Sequence, residues 1–83
     1  MTFLITWDEH AIDQAARFLK DDPDGLRQLT DAIDLLADNP LPQGSAPYGS
    51  PTLRRVHVGR YRVLYETAEA QVTIIVIHLG RIG

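Results

Sequence analysis

The sequence predicts an α+β fold in which a helical hairpin packs on one face of an antiparallel sheet. Three observations support this prediction: a strand-like segment opens the chain, two segments with helical periodicity follow, and three strand-like segments come after them. The order is therefore β-α-α-β-β-β, and a run of strands after a pair of helices is typical of α+β domains. A length of 83 residues fits one small domain spanning residues 1–83.

The first half of the chain predicts one strand and two helices. Phe3–Trp7 is rich in bulky and branched side chains, as strands are. Thr6, with Glu9 three positions later, matches a capping box and predicts a helix start. Asp22 as a cap and Pro23 at the first helical position predict the start of a second helix, antiparallel to the first. Apolar residues at helical spacing predict the two packing faces, Ile12, Ala15, Ala16 and Leu19 for the first helix and Leu26, Leu29, Ile33 and Leu36 for the second.

The second half predicts a long loop and three strands. Asn39 precedes a proline, and such a residue avoids the helical region, so the second helix ends there. The segment 40–52 contains four prolines and two glycines and is a long loop for so small a domain. The predicted strands span about residues 53–58, 61–67 and 71–79. From Val72 to Leu79 this last strand is apolar on both faces except at Thr73 and His78, which predicts an interior position in the sheet.

The segment 53–66, LRRVHVGRYRVLYE, predicts a β-hairpin with one basic face. Gly59 stands at the first central position of a two-residue loop, where a type II′ turn requires glycine. The register that follows pairs His57 with Arg62 across the two strands. Alternation places Val56, Val58, Tyr61, Val63 and Tyr65 on a face over the helices. It places Arg55, His57, Arg62 and Leu64 on the opposite face.

The basic face suggests a site for an anion. Like charges on neighbouring strands are destabilising unless something offsets them, and the guanidinium fork suits a phosphate. A histidine adds a side chain that titrates near neutral pH. Such a set fits metal-free RNA cleavage, in which a base takes the 2′-OH proton, arginines hold the phosphate and an acid protonates the departing 5′-oxygen. The alternative interpretation is a solvated sheet face that binds a protein partner.

Composition and charge limit the class of protein. The net charge is −3, but residues 1–38 hold nine acids against three bases, whereas residues 53–83 hold five arginines against two acids. The chain has no cysteine, which fits a reducing cytoplasm. No apolar run reaches the roughly 18–20 residues of a membrane helix, and the start lacks the features of a signal peptide. The three histidines are scattered without ligand spacing, so we expect no metal and no cofactor.

The hairpin segment also resembles a known family. LRRVHVGRYRVLYE, followed by a strand and HLGR, is similar to the core motif L-x-R-V-G-x-Y-R-V-x-Y of the RelE/ParE superfamily of bacterial toxin–antitoxin toxins, and is closer to RelE. Element order and length fit along the whole chain. The resemblance implies a helix hairpin on a curved antiparallel sheet and a cognate antitoxin in a hetero-oligomeric complex. Members resembling RelE cut mRNA in the ribosomal A site, and members resembling ParE poison DNA gyrase.

The resemblance also implies roles for single residues. Arg62 matches the family arginine that grips the scissile phosphate, and Arg55 and His57 match two basic positions on the preceding strand. Arg81 lies one place before the position of a further family arginine, which Ile82 occupies, and we expect Arg81 to assist. Many ribonuclease members continue with a tyrosine or histidine, whereas this sequence ends at residue 83.

The expected function is that of a metal-free endoribonuclease toxin acting on mRNA, with the ribosome and an antitoxin as partners. Two alternatives stay open: a gyrase inhibitor without enzymatic activity, and a degenerate member that only binds antitoxin. Among the remaining residues, His78 is expected to be a structural side chain at the rim of the sheet, with a position near the Arg62 cluster as the alternative. Tyr48 is expected to pack on the sheet edge, with stacking on a base as the alternative.

Overall fold

A computed structural model describes residues 2–82 of the chain. Its elements are β1 (Leu4–Trp7), α1 (Glu9–Asp21), α2 (Pro23–Leu35), β2 (Ala46–Pro47), β3 (Leu53–Val58), β4 (Tyr61–Ala68), a 3₁₀ turn (Glu69–Gln71) and β5 (Thr73–Arg81). The five strands form one sheet in the order β1-β5-β4-β3-β2. The predicted α+β order is confirmed, and a two-residue strand, β2, is added within the predicted loop. Within the described residues, neither helix is long and apolar enough to cross a membrane.

The sheet is mixed rather than purely antiparallel, because β1 pairs with β5 in parallel. This corrects the prediction for the first strand. The reason is the path of the helices: α1 continues along the half of β5 beyond β1, and α2 returns to the start of β1, where Phe3 N–H donates to Ala37 O at 2.7 Å. The strand β3 therefore starts at the same end of the sheet as β1 and runs in the same direction, although β5 and β4 lie between the two. Two antiparallel steps later, β5 has that direction again.

The predicted capping box at Thr6 is wrong. Strand β1 continues through Trp7, and the Thr6 hydroxyl donates to Ile74 O at 3.3 Å instead of capping a helix. Asp8 occupies the N-cap position of α1 without a side-chain bond. The predicted cap of α2 is confirmed, since the backbone N–H of Gly25 donates to Asp22 Oδ1 at 3.1 Å.

Helix α1 packs on the core through a row of side chains that shares only Ala15 with the predicted one. Ile12 and Leu19 are 51% and 53% exposed, whereas Ala11 is buried and Ala15 and Phe18 pack against the core. The reason is that the helix has two adjacent apolar rows, and the small side chain of Ala11 lets its row approach the sheet most closely. The predicted face of α2 is confirmed, since its four apolar residues are all buried, namely Leu26, Leu29, Ile33 and Leu36.

The core lies between the helices and one sheet face. The predicted apolar face of the hairpin is confirmed: Tyr61, Val63 and Tyr65 are buried, and Val56 and Val58 pack against them from β3. From β5 the core receives Ile74, Val76 and Leu79. The predicted interior position of this strand is also confirmed, because β5 lies between β1 and β4.

Candidate functional site

The hairpin of β3 and β4 forms with the predicted register. His57 is opposite Arg62, Val58 is opposite Tyr61, and Gly59 has a φ of +59°. Glycine adopts this left-handed conformation without the steric cost that a Cβ would bring. Because Arg60 is not left-handed, the turn fits type II′ rather than type I′. Two residues of loop therefore fix which side chains meet across the whole hairpin.

The sheet face opposite the helices carries a small cleft of about 160 Å³. Its lining consists of Tyr48, Arg55, Arg62, Leu64, His78 and Gly80. Two of the four residues proposed for the site, Arg55 and Arg62, are thus brought together. They are joined by a histidine, but it is His78 from β5 and not His57.

A β-bulge in β5 explains why His78 reaches this cleft. Val76 pairs with Tyr65 and His78 pairs with Leu64, so Ile77 is left without a partner on β4. Strict alternation from the buried Val76 would have directed residue 78 into the core. The extra residue reverses the alternation, so Leu79 is buried and His78 faces the side of Arg62. A bulge of this kind commonly re-aims a side chain.

His57 and Arg81 lie outside the cleft. The strand β2 pairs with β3 at Arg54 and Arg55, so within residues 2–82 the following residues of β3 have no neighbouring strand on that side. His57 is exposed there and, with Val56 and Val58, borders a groove between β3 and α2. Arg81 follows Leu79 on the helix side of the sheet. Its guanidinium lies 3.5 Å from Asp21 Oδ2 and 4.9 Å from the centroid of the Phe18 ring.

The arginines of the hairpin differ in the partners that their guanidinium groups contact. Arg60 forms an ion pair with Asp22 at 3.3 Å. Arg54 donates from Nε to Ser45 Oγ at 2.7 Å and from NH2 to Ser45 O at 3.0 Å. Over residues 2–82, Arg62 has neither a hydrogen bond to another side chain nor a carboxylate partner. An exposed guanidinium without an acid is free to bind an anion from solution.

Tyr48 reaches the cleft from the long loop. The Arg55 guanidinium carbon lies 5.0 Å from the centroid of the Tyr48 ring, which is a cation–π distance. Tyr48 is 49% exposed, so about half of the residue remains accessible to solvent. This loop also forms the short strand β2 beside β3, with Tyr48 N–H donating to Leu53 O at 2.8 Å.

A chain of hydrogen bonds holds the loop in place. The Tyr65 hydroxyl donates to Pro40 O at 2.7 Å and accepts from Ser45 Oγ at 2.8 Å. Ser45 Oγ in turn accepts from Arg54 Nε. Every donor in this series therefore has an acceptor. The bonds hold the loop against β3 and β4 at both Pro40 and Ser45. The position of Tyr48 next to Arg55 follows from these anchors.

Among residues 2–82 there is no group of three or more His, Asp or Glu side chains that could hold a metal ion. The cleft instead presents two guanidinium groups, one imidazole and one aromatic ring. Such donors and a stacking surface can hold a phosphodiester and an adjoining base.

The family model for the ParE toxin of type II toxin–antitoxin systems, parDE, matches residues 7–81. The chain belongs to this family. The match covers both helices, the long loop and the hairpin, so the ParE family assignment includes every element around the cleft. It confirms the resemblance to the RelE/ParE superfamily. No curated protein sequence matches the chain.

Solved structures of toxins share the fold of this ParE-family chain. The isolated RelE toxin of E. coli superposes with a TM-score of 0.81 at 18% identity, covering 98% of this chain and 85% of that one. RelE in the archaeal RelE–RelB complex of Pyrococcus horikoshii gives 0.78 at 21% identity, with coverage of 100% and 98%. A chain of the chromosomal ParDE system of P. aeruginosa gives 0.76 at 9% identity, with coverage of 99% and 98%. At these identities the similarity shows the fold.

Three residues at or beside the site of this ParE-family toxin were not predicted to act there. The sequence signal for His78 is the segment HLGR, but alternation along the strand places its side chain on the wrong face. Tyr48 gives no local signal beyond lying in a long loop. Gln14 lies on α1 and contacts His78 only because α1 runs along β5. All three depend on contacts between distant segments.

Proposed function

We propose that the chain is a cytoplasmic toxin that cleaves mRNA at the ribosome without a metal ion. The observation that supports this most is the meeting of Arg55, Arg62 and His78 around one cleft. Arg62 in particular has no carboxylate partner within the described residues, whereas Arg60 and Arg81 each have one. A guanidinium without a carboxylate partner in the protein suits a site that binds the phosphate of another molecule.

The proposed chemistry is an internal displacement on RNA. A base removes the 2′-OH proton, the 2′-oxygen bonds to phosphorus, and the bond between phosphorus and the 5′-oxygen breaks. The products are a 2′,3′-cyclic phosphate and a 5′-hydroxyl, whose proton an acid supplies. Arg55 and Arg62 would stabilise the charge on the phosphate oxygens, as fixed donors do for developing charge. His57, across from Arg62 on the hairpin, is the proposed proton-transfer group.

Arg81 receives no direct role in this proposal. Its guanidinium is held by Asp21 and Phe18 on the helix side of the sheet. It would assist only by keeping the end of α1 against β5. Arg81→Ala should therefore reduce cleavage much less than Arg62→Ala does.

The test is to induce the chain in bacteria and map the 5′ ends of mRNA by primer extension. New cleavage sites are expected with the wild type and none with Arg62→Ala. Arg27→Ala is the matched control, because Arg27 is exposed on α2, does not line the cleft, and pairs with Asp24. Intact transcripts and normal growth at verified expression of the wild type would reject the ribonuclease.

We further propose a cognate antitoxin as the neutralising partner. The fold is shared with the RelE toxin of the intact E. coli RelBE toxin–antitoxin complex and with RelE of the archaeal complex. An apolar groove of about 490 Å³ between α2 and β3, bordered by Leu35 and Val56, is a suitable surface. Leu35 is 68% exposed, so its side chain is accessible to a partner that enters the groove. Co-expression of the small protein encoded beside the toxin should restore growth, and Leu35→Lys should weaken their co-purification.

Inhibition of DNA gyrase is the second candidate, and the match to the ParE family favours it. A supercoiling assay with purified gyrase separates the two functions. Inhibition at micromolar protein together with intact mRNA would select the gyrase inhibitor. If both assays are negative while an antitoxin still binds, the chain is a member that only binds antitoxin.

A further inference from the structure

Gln14 of α1 makes two hydrogen bonds beside the cleft. Its Oε1 accepts from the backbone N–H of Leu79 at 2.8 Å, and its Nε2 lies 3.1 Å from Nδ1 of His78. Leu79 lies beyond the end of the pairing between β1 and β5, which stops at Trp7 and Val76. On this edge of β5, Gln14 therefore accepts a backbone hydrogen bond that a neighbouring strand would otherwise accept.

The first of these bonds determines the direction of the second. A backbone N–H only donates, so the Gln14 atom facing Leu79 must be the amide oxygen. The amide nitrogen then faces His78, and this nitrogen only donates. Nδ1 of His78 must therefore accept. In a neutral imidazole that accepts at Nδ1, the proton is on Nε2.

The second ring nitrogen of His78 lies beside Arg62. A Cβ built on Gly80 would lie 3.9 Å from His78 Nε2 and 3.8 Å from both Nε and NH2 of Arg62. The two side chains thus border the same small space above a glycine. His78 Nε2–H and the Arg62 guanidinium are both donors, so one acceptor placed in this space can accept from both. A phosphate oxygen would accept from both.

The ring of His10 restricts the plane of this imidazole. Its centroid lies 5.6 Å from that of His78, and the two planes differ by 26°. His78 is otherwise exposed. Together, the stacking and the bond to Gln14 hold an exposed ring in one orientation toward Arg62.

We propose that Gln14 is a positioning residue that holds His78 as its Nε2–H tautomer, making it a hydrogen-bond donor to the substrate phosphate and preventing it from acting as the base. The second half of this inference, the role of His78 toward the substrate phosphate, depends on the proposed ribonuclease function. The first half, the tautomer, is a property of the resting protein. The nitrogen that could take the 2′-OH proton, Nδ1, is occupied by Gln14 and faces away from Arg62.

The tautomer is measured by ¹⁵N NMR of the histidine rings in the wild-type protein at mildly alkaline pH. Protonated and unprotonated ring nitrogens have well-separated shifts, so the spectrum shows which nitrogen of His78 carries the proton. The expected result is a proton on Nε2. Gln14→Glu replaces the donor that faces Nδ1 by an acceptor, so it should move the proton to Nδ1. Gln28→Glu adds the same charge on α2 and should leave the His78 signals unchanged.

The catalytic half is measured by cleavage rates with the same proteins. His78→Ala should lower kcat by about 10²- to 10³-fold, as expected for loss of one fixed donor. His78→Gln keeps an N–H near the position of Nε2 but cannot act as a base, so it should recover about tenfold of that loss. Gln14→Glu should lower kcat more than Gln28→Glu does.

Three results would overturn the inference. The first is a proton on Nδ1 in the wild type, or no change in Gln14→Glu. The second is equal activity of His78→Ala and His78→Gln, which would indicate a base rather than a donor. The third is full activity of His78→Ala, which would leave the ribonuclease in place without this residue. Absence of cleavage by the wild type would instead reject the proposed function and the catalytic half with it, while the NMR result would still decide the tautomer.

Discussion

Gly80 shows how one residue without a side chain can keep a binding surface open. A Cβ at this position would touch both Arg62 and His78 at ordinary van der Waals distance, without clashing with either. Its backbone is not left-handed, so alanine brings no conformational strain. The methyl group would occupy the space in which an anion contacts both side chains. A substitution of Gly80 by alanine is therefore expected to affect anion binding without affecting folding.

Gly80→Ala should leave stability within about 0.5 kcal/mol of the wild type and weaken RNA binding. Loss of one charge-assisted hydrogen bond, about 1.5–3 kcal/mol, corresponds to about tenfold to a hundredfold in Kd. Fluorescence anisotropy with a 2′-O-methyl RNA, which resists cleavage, measures the affinity, and urea unfolding measures the stability. An unchanged Kd in a stable variant would mean that the anion does not lie above Gly80.

At the element scale, Asp22 joins the two helices to the hairpin. Its carboxylate accepts from the Tyr61 hydroxyl at 2.9 Å, from Gly25 N–H at 3.1 Å and from Arg60 at 3.3 Å. The Tyr61 hydroxyl, the Gly25 N–H and the charge of Arg60 lower the pKa of Asp22 below its ordinary value of 3.8. A Cβ on Gly25 would collide with this carboxylate, which explains the glycine inside the first turn of α2.

The lowered pKa of Asp22 predicts a specific acid sensitivity. Because the folded-state pKa is below the unfolded-state value, the stabilisation is complete above about pH 4 and is lost as the pH falls through the folded-state pKa. Asp22→Asn should therefore have a lower Tm at neutral pH and a shallower decrease of Tm between about pH 4 and pH 2. Thermal unfolding by circular dichroism measures both. Asp24→Asn, in the same helical turn but exposed, should follow the wild type, and a parallel decrease in both variants would contradict this role of Asp22.

The loop carrying Tyr48 predicts a second element-scale result. Tyr65→Phe removes the hydroxyl that donates to Pro40 O and accepts from Ser45 Oγ, so it should destabilise the domain by about 1–2 kcal/mol. Tyr48→Phe is the matched control, because within residues 2–82 the Tyr48 hydroxyl has no hydrogen bond. Urea unfolding compares the two variants. Equal stability of Tyr65→Phe and the wild type would show that the hydrogen-bond chain does not hold the loop.

At the scale of the whole molecule, the hairpin and the order of elements were predictable from the sequence, whereas the irregularities of pairing between distant segments were not. The hairpin register followed from Gly59 alone, since a two-residue loop fixes every opposite pair. The bulge at Ile77 depends on how β5 pairs with β4, which no short segment reveals. The candidate site was therefore half predictable: Arg55 and Arg62 lie on one hairpin, whereas His78 and Tyr48 arrive from elsewhere.

The charge distribution gives a prediction for the whole surface. Acidic residues dominate the helical half and arginines dominate the strands, although the net charge is −3. RNA should therefore bind only at the sheet face, where few phosphates are neutralised. For a single strand, each neutralised phosphate contributes about 0.7 to the slope of log K against log salt, so Arg62→Ala should reduce the slope by about 0.7 relative to the wild type. Arg27→Ala should not change the slope, and equal effects of the two variants would indicate nonspecific attraction.

The most direct measurement is an NMR titration of the ¹⁵N-labelled protein with 2′-O-methyl RNA, observing arginine Nε–H and histidine ring signals. We expect the signals of Arg55, Arg62 and His78 to shift together and saturate at one equivalent, while those of Arg27 and Arg81 stay in place. Shifts confined to the helical side, or no saturable shift at Arg62, would contradict the claim that this cleft binds the phosphate backbone of RNA.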